Sequence, residues 1–480
     1  MTMKRVTYIL ILLGLLLLTA CQPSLPASAI DGGELPVLFP DYREVTVPVN
    51  IAPLNFRVAD TDRAVALFQG KDAEVRVKAE DGVIRIPVGK WHQLLNQSAG
   101  EDVVVTLYRK QGKEWIRHQS FSIHVSTDSI DSHLVYRMIP PAYRLWNEMG
   151  LWQRNLENFD EEALLTNAMT DHNCMNCHTF RMQSPTQMLF HQRSSHPGTY
   201  LADNGQLSKL NLNLPTDVGM RYMYWHPGGR YVVFSTNAVK QDYHYADPNR
   251  IEVFDSKSDV YVYDMERNEV FTDSLLCSPL YMETYPSFSP DGKRIFFCSA
   301  DNRQMPEEYR EAKYSLVSVE FDPDTRSIGS TADTLYNAPR EGRSAKFPRV
   351  SPDGHYLLYT ISDYGNFSIW HKDADLRMID LKTMQTDCLE TVNSDDTESY
   401  HSWSSNGRWF VFSSRRDDGS YTKPYFCHMD EQGRVGKPFL LPQQDPERYD
   451  RLLLSFNLPE LIDGPVNAHT FEWVSYTLGQ

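Results

Sequence analysis

Apolar and polar residues alternate in short segments along most of the chain, beginning near residue 35. Between residues 35 and 125, turn-like breaks such as Asp81-Gly82 and Gln111-Gly112 separate the segments. A period of two predicts strands with one buried face, and many short strands in succession are typical of a sandwich. The pattern therefore predicts a small N-terminal β-sandwich over residues 35–135.

The alternation breaks at Ile139-Pro140-Pro141, and a different spacing follows. The acidic run Asp160-Glu161-Glu162 suits the first turn of a helix, where negative charge interacts favourably with the helix dipole. Before that run, large apolar side chains recur near the helical period, namely Tyr143, Trp146, Met149 and Trp152. We therefore expect a short helical linker over residues 136–173.

A repeat follows, in which an apolar strand, a tight turn ending in glycine and a second apolar strand recur. Four turns stand out, with the sequences His226-Pro227-Gly228-Gly229, Ser289-Pro290-Asp291-Gly292, Ser351-Pro352-Asp353-Gly354 and Ser404-Ser405-Asn406-Gly407. Their spacing of about 50 to 65 residues, in strand-rich sequence, is typical of four-stranded propeller blades. A fifth, degenerate copy contains Cys177-His178-Thr179-Phe180.

The S-P-D-G turns resemble those of the TolB-type β-propeller family, over residues 174–445. This resemblance implies a TolB-like β-propeller of five or six blades in a chain that is mostly β. It implies little about function, because such propellers serve many roles. We expect the C-terminal closure segment 446–480, or the linker, to complete a sixth blade.

Composition and charge narrow the function classes. The chain carries a net charge of −16 and has no basic block after its first few residues, so nucleic-acid binding has no electrostatic support. The sequence contains no nucleophile elbow, no phosphate-binding glycine loop and no H-E-x-x-H motif. Hydrolase and nucleotide-binding chemistry therefore lack their usual sequence signatures.

The N-terminus has the features of an export signal. Lys4 and Arg5 precede an apolar core that ends near Leu18 and is short for a membrane span. The sequence Leu18-Thr19-Ala20-Cys21 resembles the lipobox of bacterial lipoproteins. The resemblance implies a signal peptide over residues 1–20 and a lipid on Cys21, through which alone the protein would contact the membrane.

The same resemblance bears on location. A polar tether would run over residues 21–34, and Gln22 in place of aspartate implies sorting to the outer membrane rather than retention at the inner one. The lipoprotein would then face the periplasm. A plain secretory signal with an unrelated cysteine is the alternative.

The motif that carries chemistry is Cys174-Met175-Asn176-Cys177-His178, which has the C-x-x-C-H form of a c-type haem attachment site. Thiols at this spacing each add to one vinyl group of haem, and the adjacent histidine ligates the iron. We expect one haem c, with Cys174 and Cys177 as its anchors and His178 as the proximal iron ligand. A redox-active C-x-x-C pair or half of a zinc site is the alternative.

Several residues are candidates for the second protein ligand of the iron. The repeat aligns His178 with the inner strand of a first blade, so residues of other inner strands join those nearby in sequence as candidates. Arg193 and Arg221 are candidates to pair with the haem propionates. Histidine and methionine are common ligands of electron-transfer haems, and the distal candidates are His401, His191, His196 and Met223.

Together these features predict an envelope lipoprotein whose single covalent haem transfers electrons or senses redox state beside redox or assembly partner proteins in the periplasm. Chains of this kind are, by resemblance, sometimes labelled cytochrome c biogenesis proteins. Two alternatives stay open at this point. One is a propeller that serves as an interaction scaffold with a structural haem, and the other is a haem enzyme of peroxidase type with an open distal site.

Overall fold

The computed structural model describes residues 23–140, 148–212, 214 and 219–479. These residues form two compact units. The first extends to Thr127 and takes in Pro442–Arg448, and the second comprises Asp128–Leu441 and the chain from Tyr449 onward. The expected lipidation site, Cys21, lies outside the described residues.

The first unit contains two sheets and a helix. Its strands are β1 (Ile30–Asp31), β2 (Leu38–Phe39), β3 (Val45–Pro48), β4 (Phe56–Val58), β5 (Ala64–Gln69), β6 (Glu74–Lys78), β7 (Val83–Ile84), β8 (Asp102–Gln111), β9 (Glu114–Arg117) and β10 (Phe121–Ser126). One sheet has seven strands, while β2, β4 and β7 form a sheet of three. The expected strands are present, but the second sheet is small and a sandwich is not confirmed.

Part of the region that we expected to be all-β forms the helix α1 (Val88–Gln97). Trp91 is fully buried on this helix, and its indole N–H donates to the carbonyl of Ile51 at 3.0 Å. Its ring also meets Phe68 edge-on, with centroids 6.0 Å apart. A short helix of this kind is stabilised by packing more than by its own propensity, so the local sequence indicates it weakly.

The second unit is a propeller of six four-stranded sheets, here named blades I to VI. Its first strands belong to blade VI, and they are β11 (His133–Ile139), β12 (Gly150–Asn155) and β13 (Glu161–Thr166). Blade I contains β14 (Cys174–Phe180), β15 (Gln187–Arg193), β16 (Gly198–Asp203) and β17 (Gln206–Lys209). Blade II contains β18 (Arg221–Trp225), β19 (Tyr231–Tyr243), β20 (Ile251–Asp264) and β21 (Glu269–Phe271).

The remaining blades follow in chain order. Blade III contains β22 (Tyr281–Phe288), β23 (Arg294–Asp301), β24 (Ser315–Asp322) and β25 (Ser327–Tyr336). Blade IV contains β26 (Ser344–Val350), β27 (Tyr356–Ser362), β28 (Asp375–Asp380) and β29 (Thr386–Asp387). Blade V contains β30 (Glu398–Trp403), β31 (Trp409–Ser414), β32 (Lys423–His428) and β33 (Phe439–Leu440). Blade VI ends with β34 (Ser455–Ile462).

The inner strands β14, β18, β22, β26, β30 and β34 lie next to one another in this order, and β34 lies beside β14, so the ring is closed. The closing blade is built from both ends of the unit, because β34 pairs with β11. The expectation of a sixth blade is thus met by the C-terminal segment and the residues before blade I together. Backbone hydrogen bonds of blade VI join these two ends.

The predicted helical linker is wrong where the structure describes it, because β11, β12 and β13 are strands. Residues 141–147 of that span lie outside the described residues. The acidic side chains that suggested a helix start instead bond across strands, since the hydroxyl of Tyr136 donates to Glu161 and the amide of Gln153 donates to Glu162. Pairing with β34, about three hundred residues away in sequence, favours the extended form over the local helical spacing.

The repeated turns agree with their sequence pattern. Gly292 has a φ of +72°, and a Cβ at this position would lie 2.2 Å from Nε2 of His226. In the same turn the Ser289 hydroxyl accepts a hydrogen bond from the backbone N–H of Arg294 at 2.9 Å. The turn therefore needs glycine at the position of positive φ and a serine whose hydroxyl can accept a hydrogen bond from the backbone.

Three further helices in the described residues are α2 (Ala338–Glu341), α3 (Arg448–Arg451) and α4 (Thr470–Leu478). Single 3₁₀ turns occur at Asn167–Met169, Arg181–Gln183, Tyr309–Glu311 and Ser368–Trp370. Helix α4 covers blade I, where the Trp473 indole N–H donates to the carbonyl of Gly205 at 2.9 Å. Among the described helices, none has the length and apolar character needed to cross a membrane.

Candidate functional site

Every inner strand of the propeller is bulged at the same level. The pairing register shifts at this level in all six blades. The equivalent residues, each the first one after the register shift begins, are Cys177, Tyr222, Tyr285, Phe347, Tyr400 and Leu458. Five of them adopt a positive φ, between 49° and 53°, and these are Tyr222, Tyr285, Phe347, Tyr400 and Leu458. Bulges re-aim side chains, and positive φ strains a non-glycine residue, so the repetition indicates a built feature.

Aromatic side chains at these positions close the channel, and we name them the aromatic plug (Tyr222, Tyr285, Phe347 and Tyr400). Ring centroids are 4.2 Å apart between Tyr222 and Tyr285, 3.9 Å between Tyr285 and Phe347, and 4.6 Å between Phe347 and Tyr400. Tyr400 lines a cavity on each side of the plug. The plug therefore divides the channel into two chambers.

The bulge in β14 brings both cysteines of the C-x-x-C-H motif to one chamber. Along the strand, Asn176 lies opposite His191 and His178 lies opposite Phe190, so Cys177 is the extra residue. In a regular strand, residues three apart project to opposite faces. Because of the bulge, Cys174 and Cys177 instead line the same cavity of about 300 Å³, which we name the cysteine cavity. Both thiols are buried and free.

Four arginines line the cysteine cavity. Arg137 donates to Oδ1 of Asn176 at 2.7 Å, and Arg193 donates to Sγ of Cys174 at 3.2 Å. Arg221 and Arg415 are the other two. Apolar and aromatic side chains make up much of the rest of the wall, among them Ile139, Met149, Val253, Phe367, Ile369 and Trp370. An apolar cavity edged with guanidinium groups suits a flat hydrophobic ligand that carries anionic substituents.

His178 lies on the other side of the plug. It lines a smaller cavity of about 90 Å³, named here the histidine cavity, together with Met223, His401 and Glu460. Although the side chain is buried, both ring nitrogens lack a hydrogen bond of good geometry. Burial lowers the pKa of His178 to about 3, and the positive charge of Arg137 acts in the same direction. The imidazole is therefore neutral and keeps the lone pair that a metal ligand needs.

The predicted distal candidates fall into two groups. His401 and Met223 share the histidine cavity with His178. The Nε2–H of His401 donates to the carbonyl of Leu358 at 2.9 Å, and burial lowers the pKa of His401 to about 3. His191 and His196 line neither chamber; Nδ1 of His191 is 3.0 Å from the Thr199 hydroxyl, and His196 lies 3.4 Å from Asp171.

Sequence reasoning found two of the four arginines, Arg193 and Arg221, but missed Arg137, Arg415 and the buried Met149. Met149 lines the cysteine cavity, whereas its spacing in the sequence predicts a position on a helix. These residues approach the motif through blades V and VI, and no local pattern joins them to it. Only the closing of the ring brings them to blade I.

Buried polar atoms without partners gather around β14. Both amide atoms of Gln192 are buried without a hydrogen bond, directly across the strand pair from Met175, and the ring of His178 is in the same condition. Such atoms are costly unless something satisfies them. Neither side chain lines the cysteine cavity, so the fit to a covalently held haem rests on the two thiols and the arginines. His178 lies in the other chamber.

A simple metal site does not explain the cluster. Within the part of the chain that the structure describes, no three His, Cys, Asp or Glu side chains are grouped so that they could hold a metal ion. The thiols also have no third and fourth protein ligand at the cavity, as a structural zinc site requires. The arrangement therefore favours a bulky organic group over a bare ion.

No family model and no curated protein matches the sequence. Solved structures match in shape, among them the Cps50 (Swd1) β-propeller domain of Myceliophteria thermophila (11% identity, 58% of this chain and 70% of that one, TM-score 0.32). Oligogalacturonate lyase in complex with manganese matches at 12% identity, over 64% of this chain and 85% of that one, with a TM-score of 0.35. Sqt1 of Chaetomium thermophilum matches at 10%, over 86% and 88%, with a TM-score of 0.34. Likenesses at these scores carry no argument about activity.

Proposed function

We propose that this chain is a cell-envelope lipoprotein that carries one covalent c-type haem in its propeller channel and uses it for electron transfer or redox sensing. Thioether bonds from Cys174 and Cys177 would hold the haem in the cysteine cavity. When bound, the haem supplies a one-electron redox centre. The chain's own residues anchor it, surround it with apolar side chains and offer arginines to its propionates.

The observation that carries the proposal is the bulge at Cys177. It turns two thiols that a regular strand would separate toward one chamber. In the other five blades the equivalent bulge presents an aromatic or aliphatic side chain to the plug. Blade I alone presents a thiol there, beside a second thiol three residues earlier, which is the arrangement that haem attachment needs.

The proximal ligand requires a local change. His178 follows the bulge and faces the histidine cavity, so its ring meets an iron in the cysteine cavity only if β14 rotates at Cys177. The His178 ring would give up no hydrogen bond of good geometry in such a rotation, but the backbone pairing of His178 with Phe190 on β15 would have to open. With the haem in place, His178 would be the residue that offers an imidazole nitrogen to the iron, as the C-x-x-C-H spacing implies.

The proposal also includes the cellular location of the protein and its partners. A lipid on Cys21 would hold the protein at the outer membrane, facing the periplasm, as the resemblance to a lipobox implies. The partners would be redox or assembly proteins of the envelope. The acidic surface, with a net charge of −16, would favour partners with a basic docking face.

The test is to express the full-length protein in a bacterial host that matures c-type cytochromes. The purified wild type should keep a haem stain after denaturing electrophoresis and should show the sharp absorption bands of a reduced c-type haem. A Cys174→Ala/Cys177→Ala variant should lose the covalent stain completely. Cys388→Ala, which removes an exposed thiol outside both chambers, is the matched control and should keep it.

An unchanged stain in the double variant, or no stain in the wild type, contradicts the proposal. The spin state of the iron then separates the alternatives. Low-spin iron with two protein ligands supports electron transfer, whereas a five-coordinate high-spin iron supports a haem enzyme. A double variant that folds and still binds the partners captured by the wild type supports a scaffold with a structural haem.

A further inference from the structure

We infer that the histidine cavity is a binding site for a small zwitterion of the size of glycine or alanine. Arg349 would bind the carboxylate of this ligand, and Glu460 would bind its ammonium group. The site lies on the opposite side of the aromatic plug from the two cysteines. It uses neither cysteine, so the inference does not depend on the proposed function.

Two side chains of opposite charge line the histidine cavity, and among the described lining residues they are the only ones with a formal charge. Arg349 belongs to β26 of blade IV, and Glu460 belongs to β34 of blade VI. The electrostatic attraction between the two acts on both side chains. Within the described part of the chain, however, neither of them has an ion-pair partner at 4.0 Å or less.

Hydrogen bonds to the backbone fix both charged side chains in place. A guanidinium N–H of Arg349 donates to the carbonyl of Pro348 at 2.8 Å, and Oε1 of Glu460 accepts from the backbone N–H of Phe180 at 2.8 Å. The guanidinium carbon also lies 4.8 Å from the centre of the Tyr224 ring. Charges that leave water without an ionic partner are costly, so a ligand that offers the opposite charge to each of them stabilises the site.

The rest of the wall is largely aromatic, and its indole donors are already used. The indole N–H of Trp225 donates to the carbonyl of Thr179 at 3.3 Å, and that of Trp403 donates to the carbonyl of Arg349 at 3.0 Å. The two indoles therefore contribute ring surface to the cavity rather than free N–H groups. Aromatic ring faces attract an ammonium group, which adds to the attraction by Glu460.

The size of the cavity limits the ligand. Its volume is about 90 Å³. One water-sized group takes up about 15 Å³ of such a volume, so the cavity holds about six of them, which is the size of a small amino acid. Met182 lines the cavity and is 47% exposed, so the cavity reaches the surface and a ligand can enter.

The experiment is a calorimetric titration of the purified full-length protein with glycine and alanine, and with acetate and methylammonium, each of which carries one of the two charges. Because burial raises the pKa of Glu460 to about 7, the titrations are done near pH 8, where the carboxylate is ionised. Both amino acids should bind at least about tenfold more tightly than either single ion, because each single ion leaves one charge of the site without a partner.

Variants that remove one charge separate the two ends of the site. Arg349→Gln should lose affinity for acetate and keep it for methylammonium, whereas Glu460→Gln should do the reverse. Both should bind glycine at least about tenfold more weakly than the wild type. The matched controls are Arg408→Gln and Glu431→Gln, which break a surface ion pair outside the cavity and should leave glycine binding unchanged.

Three results overturn the inference. The first is a wild type that binds neither amino acid, and the second is a wild type that binds acetate or methylammonium as tightly as glycine. Both are measured on the wild type, so they decide the question even if a variant does not fold. The third is unchanged glycine affinity in folded Arg349→Gln and Glu460→Gln proteins. The haem stain plays no part in these measurements, so failure of the proposed function and failure of this inference are distinguishable.

Discussion

Blades I and V place the same kinds of residue on the same scaffold but use them differently. The register makes Cys177 equivalent to Tyr400 and His178 equivalent to His401. In blade V, Tyr400 belongs to the aromatic plug and His401 donates to a backbone carbonyl. In blade I a thiol stands at the position equivalent to a plug residue, and the histidine has no hydrogen bond of good geometry.

The inner strand of blade I therefore differs from the repeat at the bulge. Five blades use the bulge to pack the channel, and the strain of positive φ is offset by ring contacts in four of them and by packing of Leu458 in the fifth. Blade I leaves buried polar atoms unsatisfied around the same bulge, which lowers stability unless another group binds. Natural chains tend to break local rules at functional sites, and blade I combines a buried thiol at the bulge with a buried histidine whose two ring nitrogens are unsatisfied.

The turns differ in the same way. Blade V turns at Gly407, whose φ is +66°, as the glycine of the repeat allows. Blade I turns through Met182 and Gln183, which are not glycines and yet have φ values of +47° and +56°. The degenerate sequence of blade I thus costs backbone strain in the turn as well as packing at the bulge.

The largest expected effect is a difference in the free energy of unfolding between two alanine variants, one at Tyr400 and one at the equivalent residue Cys177. In haem-free protein, Tyr400→Ala should lower the free energy of unfolding by about 3–5 kcal/mol, because it leaves a cavity in the aromatic plug. Cys177→Ala, at the equivalent position, should lower it by only about 1 kcal/mol. Urea unfolding of the two variants measures both values. Equal losses would mean that Cys177 is a packing residue like the others.

A second, smaller effect concerns pH. Two positions before the bulge, blade I has Met175 where blade V has the buried Glu398. Burial raises the pKa of Glu398 above its usual value near 4.5, against the opposing effect of the Arg416 guanidinium 2.9 Å away. In the pH interval between the usual pKa and the raised pKa of Glu398, the unfolded chain loses this proton before the folded chain does. The free energy of unfolding therefore falls as the pH rises through that interval.

Unfolding of the wild type and of Glu398→Gln across this pH interval should therefore give curves of different slope. Glutamine cannot ionise, so the variant should lack this part of the decrease with rising pH. Met175→Leu, the matched change in blade I, should leave the slope as in the wild type. Parallel curves for all three proteins would show that Glu398 ionises alike in both states.

The smallest expected effect lies in the turns. Gly407→Ala should destabilise the protein by about 1–2 kcal/mol, because its Cβ meets nothing closer than Pro352 at 3.4 Å and the cost comes from positive φ alone. Met182→Gly, in the exposed turn of blade I, should stabilise it by about 0.5–1 kcal/mol. Thermal unfolding measures both shifts. A destabilised Met182→Gly would mean that the Met182 side chain contributes more than its strain costs.

Much of the propeller could be predicted from local sequence, because a strand, a glycine turn and a second strand are encoded by neighbouring residues. The errors have long-range causes. The helical linker predicted over residues 136–173 is wrong for β11, β12 and β13, which are strands because β34 pairs with β11 from the far end of the chain. The burial of Trp91 decides helix α1 in the same way.

The candidate site also has features that local sequence encodes and features that depend on distant strands. The thiol spacing and the neighbouring histidine are written in five consecutive residues, and the sequence by itself determined that they could carry haem. Only the tertiary structure decided which chamber the thiols face, that His178 faces the other, and that Met149 and four arginines surround the cysteines. The physical reason is that the bulge and the closed ring depend on pairing between distant strands, and local patterns carry no record of which distant strand a residue will meet.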